Sequence, residues 1–534
     1  MIWKIKNIEG FALGLVLCVA LLVATYCQLP QLLNKYAIND DVRQANYILT
    51  YKDHDLFKGD VITQYFKSWN PIGVKAFYAL ISNIADPLSV TKILPFFLFL
   101  FSTYLIFKIG LSLGSLRMAF LSSILFIFVT WSRMRFSVFG SSNGADFGYL
   151  LFIAFIYFLI KRNFTVLASV LFLLCLFYPP LLLVCVITLL LSFREERKMK
   201  VVLDRAKIIM IVVLLIGIAL MFLYKVSNNL RMVNLAEMRH MAEFYPGGRK
   251  EIFYPNFYLR WTNAESGLGI ADFPMQFLIV ASFMMMLVLK NKSFSIPRIF
   301  RNIFIASIVS FILATIFMYQ LHGPARYFGR YSIPIVLIFY VLINLDRILT
   351  KMRHVFLSRL LFLLFFILLS FVFIFRLERR YIIAPYPKLY EFLSKLPKDA
   401  VIASHPEIAD NIPIFAQRTV LINEETSTPE HLSLYPILKG RTLDFFRAYY
   451  SESEKDIKEF CKKYDISYLV VNKNHFSSDY LKRGEFYFEP FNSYIKKIVR
   501  SKNSFALITI CKKMSIFKDS DICLVASKDI LSNN

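Results

Sequence analysis

The motifs of the commonest nucleotide-binding sites are missing from this sequence. Its 534 residues contain no P-loop and no GxGxxG turn, so both glycine-rich phosphate cradles are absent. Acidic residues are also scarce, because 37 Asp and Glu stand against 62 Lys and Arg. Many of the basic residues lie in short loops between apolar runs, which is typical of cytoplasmic membrane loops. We therefore expect a lipid bilayer as partner and no nucleic acid.

Cysteine is present seven times, but in no spacing that suits a zinc site. Three cysteines lie in the polar C-terminal part, where one disulfide and one free thiol are possible and no pairing can be deduced: Cys461, Cys511 and Cys523. The N-terminus carries Lys4 and Lys6 before a long apolar run without a small-residue cleavage site. That pattern predicts a retained first helix instead of a cleaved signal.

Apolar residues are abundant, since 57% of the chain is hydrophobic and 54 residues are Phe. A helix of about 20 apolar residues crosses a bilayer, whereas a β-barrel would show short alternating segments. The sequence therefore predicts a polytopic α-helical membrane protein with about eleven spans. They are expected near residues 11–29, 93–112, 118–134, 147–161, 164–177, 180–193, 207–225, 273–289, 300–320, 330–348 and 355–376.

The stretch 164–193 is interpreted as two short helices. Proline disfavours a continuous helix, and "FYPP" at 177–180 supplies the break. The break also keeps the basic residues on both flanks on one side of the membrane, as charge bias requires. The N-terminus is then cytoplasmic. A first loop (residues 30–92), an aromatic loop (residues 226–272) and the tail (residues 377–534) lie on the periplasmic or extracellular side.

The tail changes from apolar to mixed character. An amphipathic "YPKLYEFLSKL" precedes the strand-like "DAVIAS", and the helical "SEKDIKEFCKKY" lies between the strand-like "RTVLI" and "SYLVVN". "FALITI" and "DICLVAS" are expected to add an edge to the sheet. The chain is thus divided into a transmembrane domain over 1–376 and an extracytoplasmic α/β domain over 377–534.

Asp40 and Asp41 stand where the chain leaves the first span. Apolar residues at helical spacing follow them, so Asn39 or Asp40 can cap a helix that lies along the membrane surface. The pair can be only a cap and a partner for the helix dipole. Alternatively, one carboxylate is a general base that takes a proton from a hydroxyl, with the second acid shifting its pKa.

The first loop resembles that of GT-C glycosyltransferases, multi-pass enzymes that use lipid-phosphate sugars and include protein mannosyltransferases and aminoarabinose transferases. The matching first-loop segments are "NDDVRQ", "DHDLFKGDVITQYF", "NPIG" and "ADP". An uncharacterised bacterial branch also has a similar tail, in "ASHPEIADNIPIFAQRTVL", "DFFRAYYS" and "ISYLVV". The resemblance implies that Asp40, and second Asp41, is the catalytic base. It also implies a polyprenyl-phosphate-linked sugar as donor.

A bound cation is an open question. Oligosaccharyltransferases of the same superfamily carry an acidic D-x-D motif in the second outer loop, whereas "FGSSNGADFG" here has only Asp146. Hard cations such as Mg²⁺ or Mn²⁺ need several oxygen ligands. The sequence leaves two alternatives, a divalent metal shared by Asp40, Asp41 and Asp146, or no metal at the acid pair.

Arginine is suited to a lipid phosphate, because its planar fork meets two phosphate oxygens. The candidate donor-binding residues are Arg43, Arg135, Arg326 and Arg330. For Arg135 the alternative is snorkelling at the interface. Candidates for acceptor binding or gating are Asp60, Glu243 and Arg249. In the tail, "HPEIADNIP" groups His405, Glu407 and Asp410 as a ligand set without zinc-like spacing.

The first functional hypothesis is a membrane glycosyltransferase of the hexosyltransferase type, acting on a lipid, glycan or protein hydroxyl at the outer face. The second is a transporter or flippase for lipid-linked sugars, but its spans would be expected to hold charged residues, and these spans hold few. The third is a non-catalytic cell-envelope assembly factor, in which the tail binds a partner and the acids only cap a helix.

Overall fold

The computed structural model describes most of the chain. The described residues are 2–132, 139–140, 143–198, 205–228, 230–263, 265–288, 296–351, 360, 364, 377, 379, 381–500, 502 and 504–532. Of the predicted span 355–376, all but residues 360 and 364 lie outside the described residues. Arg135 also lies outside them.

Long apolar helices build the N-terminal two thirds of the chain. Five helical stretches in the described residues are long and apolar enough to span a membrane. These are Asn7–Leu33, Pro87–Leu113, Arg205–Ser227, Arg298–Leu321 and Pro324–Thr350. Six shorter apolar helices accompany them, so the membrane character is confirmed and the total of eleven spans stays a prediction.

The apolar helices occur close to the predicted places. Their bounds are α1 Ile2–Leu33, α4 Pro87–Leu113, α5 Leu116–Trp131, α6 Gly144–Ile160, α7 Phe164–Phe177, α8 Pro179–Lys198, α9 Arg205–Ser227, α12 Phe273–Val288, α13 Arg298–Phe317 and α14 Ser332–Lys351. Helix α5 is buried along nearly its whole length, and α4 packs against α1, α5 and α6. Short helices such as α5 are stable in a bilayer when neighbouring protein surrounds them.

The break inside 164–193 is confirmed. Helix α7 ends at Phe177, Tyr178 is non-helical, and α8 begins at Pro179. Proline suits the first turn of a helix, because that position needs no backbone donor. The side chain of Tyr178 is therefore held at the junction of two helices.

The first loop folds into short helices. A 3-10 helix runs over Asp40–Tyr51, followed by α2 (Val61–Trp69) and α3 (Ile72–Ile81). The aromatic loop contains α10 (Leu235–Met238), a 3-10 turn over Ala242–Phe244, and α11 (Phe257–Thr262). Two further 3-10 turns, Met318–Leu321 and Pro324–Tyr327, connect α13 to α14.

The tail contains a mixed five-stranded sheet in the order β4-β3-β5-β7-β6. The strands are β3 Val401–Ala403, β4 Thr419–Val420, β5 Tyr468–Asn472, β6 Ser515–Asp519 and β7 Ile522–Ala526. Strands β3, β4 and β5 are parallel, and β7 and β6 continue the sheet antiparallel. The α/β character of this region thus matches the prediction.

The helices of the tail are α15 to α23. Their bounds are α15 Pro387–Leu393, α16 Pro406–Ala409, α17 Ile412–Phe415, α18 Tyr435–Tyr449, α19 Glu454–Lys463, α20 Ser478–Arg483, α21 Phe491–Val499, α22 Ala506–Met514 and α23 Ser527–Ser532. The expectation of a strand at "FALITI" is wrong, because this segment begins α22. Leu507, Ile510 and Cys511 are buried at helical spacing there, so the short apolar run was a helix face. Cys511 is disulfide-bonded to Cys523, and Cys461 is free and buried.

The tail lies directly on the first loop. Strand β1 (Ala37–Ile38) pairs antiparallel with β2 (Ile382–Ile383), immediately before the acid pair. Ile38 and Val42 share an apolar cluster with Ile414, and Ile62 and Phe66 share another with the start of α18. These contacts bring the loop after β4, residues 421–434, against the first loop. We call this segment the acidic loop.

Candidate active site

The acid pair starts the 3-10 helix without capping it. Asn39 is the cap, since its side chain accepts a hydrogen bond from the Asp41 backbone N–H at 3.1 Å. Asp40 is therefore left with an open carboxylate whose side chain is 54% exposed. Neither acid is therefore the cap, although both lie in the first turn, where a carboxylate also interacts favourably with the helix dipole.

Arg43 joins the acid pair to the tail. Its guanidinium forms ion pairs with Asp40, with Asp410 at 3.0 Å and with Glu425 at 3.3 Å, and its side chain is only 13% exposed. Gln44 donates to the Glu425 carboxylate at 2.7 Å. Arg43, predicted to bind phosphate, is thus surrounded by three carboxylates and orients Asp40.

A second arginine closes this network from the aromatic loop. Arg249 pairs with Glu424 at 3.2 Å and with Glu425 at 3.3 Å. Burial raises the pKa of Asp410 to about 7, although Arg43 opposes the shift. Burial, together with Asp40, raises the pKa of Glu425 to about 8. Two guanidinium groups therefore face four carboxylates, two of which hold protons more tightly than usual.

Asp41 points toward the start of α6. Its carboxylate accepts a hydrogen bond from the Asn143 side chain at 3.2 Å, and Asn143 caps α6. The buried Asp146 accepts a hydrogen bond from the Gly140 backbone N–H at 3.0 Å. Asp40, Asp41 and Asp146 therefore lie on neighbouring elements, with each carboxylate holding a partner within the protein.

The predicted metal set does not converge in the part of the chain that the structure describes. There, one group of three metal-ligating side chains has its ligand atoms close together, and it consists of His405, Glu407 and His475. Asp40 instead pairs with Arg43, and a cation ligand does not favour such a neighbour. We therefore derive no catalytic step through a metal at the acid pair.

A cluster of cations lies just before the N-terminus of α14. Arg326 donates to the Tyr178 hydroxyl at 2.8 Å, and this hydroxyl in turn donates to that of Tyr331 at 3.2 Å. Arg330 is buried beside the Tyr331 ring. Arg326 and Arg330 were expected on one helical face, but the 3-10 turn ends at Tyr327, so they do not share one helix. Both nevertheless lie close enough to Glu265 to lower its pKa.

The aromatic loop completes the cation cluster. Lys250 lies 3.6 Å from Glu265 and 3.7 Å from Glu430. Burial acts to raise the pKa of Glu265, but Lys250 and then Arg326 and Arg330 outweigh it and lower that pKa. Three cations thus face two carboxylates. Since Lys250 follows Arg249 in the chain, the cation-rich cluster adjoins the acid-rich one.

Histidines and aromatic rings lie near the cation cluster. The Tyr65 hydroxyl lies 2.8 Å from His431 Nδ1, and the Trp69 ring packs edge-on against His431 at 4.6 Å. The ring of His322 is 6.0 Å from that of Trp69 between centroids. Burial lowers the pKa of His431 to about 4 and that of His322 well below its usual range. Both imidazoles are therefore neutral at pH 7.

The three residues predicted for acceptor binding or gating all make contacts within the protein. Asp60 is the buried cap of α2, accepting from the Thr63 backbone at 3.0 Å. Glu243 is fully buried and accepts from Tyr435 at 2.9 Å and Lys439 at 2.7 Å, which ties the aromatic loop to α18. Arg249 belongs to the acid-rich cluster described above.

Sequence reasoning missed most of the contribution of the acidic loop and part of the aromatic loop. The missed residues are Lys250, Glu265, Glu424, Glu425, Glu430 and His431. Asp410 was noted only as a member of a ligand set in the tail. A usable signal was present, because "NEETSTPEH" follows strand β4 directly and ligands gather at the carboxyl ends of parallel strands.

Solved structures of archaeal oligosaccharyltransferases are similar to this chain. The Archaeoglobus fulgidus oligosaccharyltransferase in the apo form aligns with 89% of this chain and 71% of its own, with a TM-score of 0.57 and 11% identity. AglB from the same organism, in complex with an inhibitory peptide and a dolichol-phosphate, aligns with 90% and 71%, with a TM-score of 0.51 and 11% identity. This chain shares their GT-C fold.

No protein-family model and no curated protein matches the sequence. The structural likeness confirms the predicted GT-C membrane architecture in general. The resemblance to protein mannosyltransferases and aminoarabinose transferases, and the bacterial branch, stay predictions.

Proposed function

We propose that this protein is an integral-membrane glycosyltransferase that moves a sugar from a polyprenyl-phosphate carrier to a hydroxyl acceptor at the outer face of the inner membrane. The observation that carries the proposal is the open carboxylate of Asp40, held by Arg43 beside a second acid. The fold shared with oligosaccharyltransferases supports the lipid-linked donor, because one of those structures holds a dolichol-phosphate. Another holds an acceptor peptide containing the NVT sequon, in which the acceptor is an asparagine amide, so the hydroxyl acceptor rests on the proposed base instead.

The opposite charges of the two clusters suit them to different substrates, one to the acceptor and the other to the lipid phosphate. A general base requires a carboxylate that is ionised and reaches the acceptor hydroxyl. The Asp40 carboxylate is exposed and is held in place by its ion pair with Arg43. Asp41, held by Asn143, is the second candidate base. The acid-rich cluster is therefore suited to the acceptor.

The cation-rich cluster is suited to the leaving phosphate. Developing negative charge on a phosphate is stabilised by positioned guanidinium groups. Arg326 and Arg330 lie at the mouth of a predicted span, and Lys250 adds a third cation. Arg43 is already surrounded by carboxylates, so Arg326 and Arg330 are the stronger phosphate ligands.

In the proposed reaction, Asp40 takes the proton of the acceptor hydroxyl as its oxygen attacks the anomeric carbon. The bond from that carbon to the phosphate oxygen breaks, and polyprenyl phosphate leaves with the electron pair toward Arg326 and Arg330. A single displacement of this kind inverts the configuration of the sugar; this step rests on family analogy.

Replacing the base tests the proposal. The full chain is reconstituted in vesicles with polyprenyl phosphate that carries a radiolabelled hexose and with a cell-envelope extract as the source of acceptor hydroxyls. The label that leaves the donor for the acceptor fraction is measured. Loss of a general base typically costs about 10²- to 10⁴-fold, so Asp40→Asn should lower turnover by that much while the labelled donor still binds.

Asp55→Asn is the matched control. Asp55 lies in the same loop, and its side chain forms an exposed pair with Lys58, so this variant should turn over like the wild type. Unchanged turnover in Asp40→Asn would contradict the proposed base.

A further inference from the structure

The carboxyl ends of two parallel strands in the tail form a crevice that the proposed transfer reaction does not use. From β3 the chain passes to β4 on one side, and it returns to form β5 on the other side of β3. The β3–β5 junction is therefore the topological switch point of the parallel part of the sheet. Ligands in open α/β sheets bind outside the carboxyl ends of strands at such points.

Three metal-ligating side chains meet at this crevice. His405 follows β3, His475 follows β5, and Glu407 lies in the helix that leaves β3. Their candidate ligand atoms all lie within 4.8 Å of one another, and His405 Nδ1 is 4.0 Å from the Glu407 carboxylate. The two imidazole rings are 4.3 Å apart between centroids.

His405 is fully buried, and neither of its ring nitrogens makes a well-formed hydrogen bond within the described residues. The Phe486 backbone acts on the imidazole as a weak hydrogen-bond partner, which leaves at least one ring nitrogen without a partner among these residues. A buried polar group without a partner costs about 1–3 kcal/mol. Apolar packing explains the position of the ring, against Phe446 at 5.6 Å, but it does not explain why an imidazole occupies this place. A ligand for the nitrogen would explain it.

His475 is held in the tautomer that a metal needs. The Tyr449 hydroxyl accepts from the Asn472 backbone N–H at 3.1 Å and lies 3.1 Å from His475 Nδ1. The Asn472 side-chain oxygen accepts from the Asn474 backbone N–H at 3.0 Å, so the Asn472 NH2 group faces His475 Nε2. Nε2 therefore carries the lone pair, and Nδ1 donates to the Tyr449 hydroxyl. The neighbour of Nε2 is the Asn472 amide at 3.4 Å, a long contact that a metal bond would replace. In metal-bound histidines, the ring nitrogen that does not bind the metal usually donates a hydrogen bond that orients the ring, as Nδ1 does here to the Tyr449 hydroxyl.

We propose that His405, His475 and Glu407 bind a divalent transition metal, of which Zn²⁺ is the best fit. Two imidazoles and a carboxylate are a common three-residue zinc set that leaves a fourth position for water or another ligand. Tetrahedral bonds of about 2 Å place ligand atoms roughly 3.3 Å apart. The Glu407 side chain is 62% exposed, so it can move to close the remaining distance.

Metal content of the full chain in detergent tests this site. The protein is stripped with a chelator, dialysed against Zn²⁺, separated from free ion, and assayed for zinc per chain. Co²⁺ is used in parallel, because its visible spectrum reports tetrahedral nitrogen and oxygen ligands. We expect one equivalent in the wild type, loss of that equivalent in His475→Gln, and affinity weakened by at least about tenfold in Glu407→Gln.

Two control variants make the outcome decisive. His240→Gln changes an exposed histidine of the aromatic loop and should keep the full equivalent. Asp40→Asn should keep it as well, since the acid pair is a different place. Equal zinc content in the wild type, His475→Gln and Glu407→Gln would overturn the proposal, and so would a wild type that takes up none. Glu407 is at the surface, so its variant stays informative if a buried histidine variant fails to fold.

Discussion

At the scale of single residues, Arg43 is the side chain that forms ion pairs with three carboxylates of the candidate site. It is mostly buried and neutralises Asp410 and Glu425 as well as Asp40. Removing one partner of a buried ion pair leaves uncompensated charge and costs about 3–5 kcal/mol. We expect Arg43→Gln to lose about 3 kcal/mol of stability, measured as a lower melting temperature of the purified protein in detergent.

Arg447→Gln is the corresponding control for a surface pair. Arg447 pairs with Asp444 at 2.9 Å, but its side chain is 62% exposed. Exposed pairs contribute about 0–1 kcal/mol, so the melting temperature should barely change. If Arg43→Gln had the same melting temperature as Arg447→Gln, the buried ion pairs of Arg43 would not stabilise the contact between the tail and the first loop.

At the scale of secondary-structure elements, the contact between α6 and the α7–α8 break positions Arg326. Gly148 of α6 lies so close to Tyr178 that an added Cβ would come within 2.4 Å of the Tyr178 Cβ. Tyr178 cannot yield without moving the break, and its hydroxyl holds Arg326. We expect Gly148→Ala to destabilise the protein by about 1–3 kcal/mol in thermal unfolding, as overpacking does.

Gly14→Ala provides the comparison for that substitution. Gly14 lies in α1, and an added Cβ would meet nothing within 4 Å. Alanine favours a helix over glycine by about 0.5–1 kcal/mol, so this variant should be neutral or slightly more stable. A similar melting temperature for Gly148→Ala and Gly14→Ala would show that α6 can move away from Tyr178 without loss of stability.

The elements also show what sequence can predict here. The helix break at Tyr178 followed from two prolines and from charge bias, which are local signals. The strand expected at "FALITI" was wrong, since six apolar residues carry no clear period until the buried face of α22 is known. The position of "NEETSTPEH" after a parallel strand could have marked Glu425 as a candidate ligand. Its pairing with Arg43, and that of Lys250 with Glu265, could not be predicted, because these segments meet only in the tertiary fold.

At the scale of the whole molecule, the contact between tail and first loop contains two acids with raised pKa values. The pKa of Asp410 is raised from 3.8 to about 7 and that of Glu425 from 4.5 to about 8, chiefly by burial. A raised pKa means that the docked state binds protons more tightly than the unfolded chain. The stabilising contribution is therefore complete below the unfolded pKa and is lost as pH rises through the folded one.

We expect the melting temperature of the wild type to fall as the pH rises from about 4 to about 8, and Asp410→Asn to show a shallower slope, since it removes one of the two titrating groups. Asp444→Asn is the opposite case. Burial acts to raise the pKa of Asp444, but its bonds to Lys463 and Tyr464 outweigh that and lower it. Its contribution is lost only in acid, so this variant should keep the wild-type slope. Parallel slopes for the wild type and Asp410→Asn would mean that the tail is held by its apolar clusters and strand pairing alone.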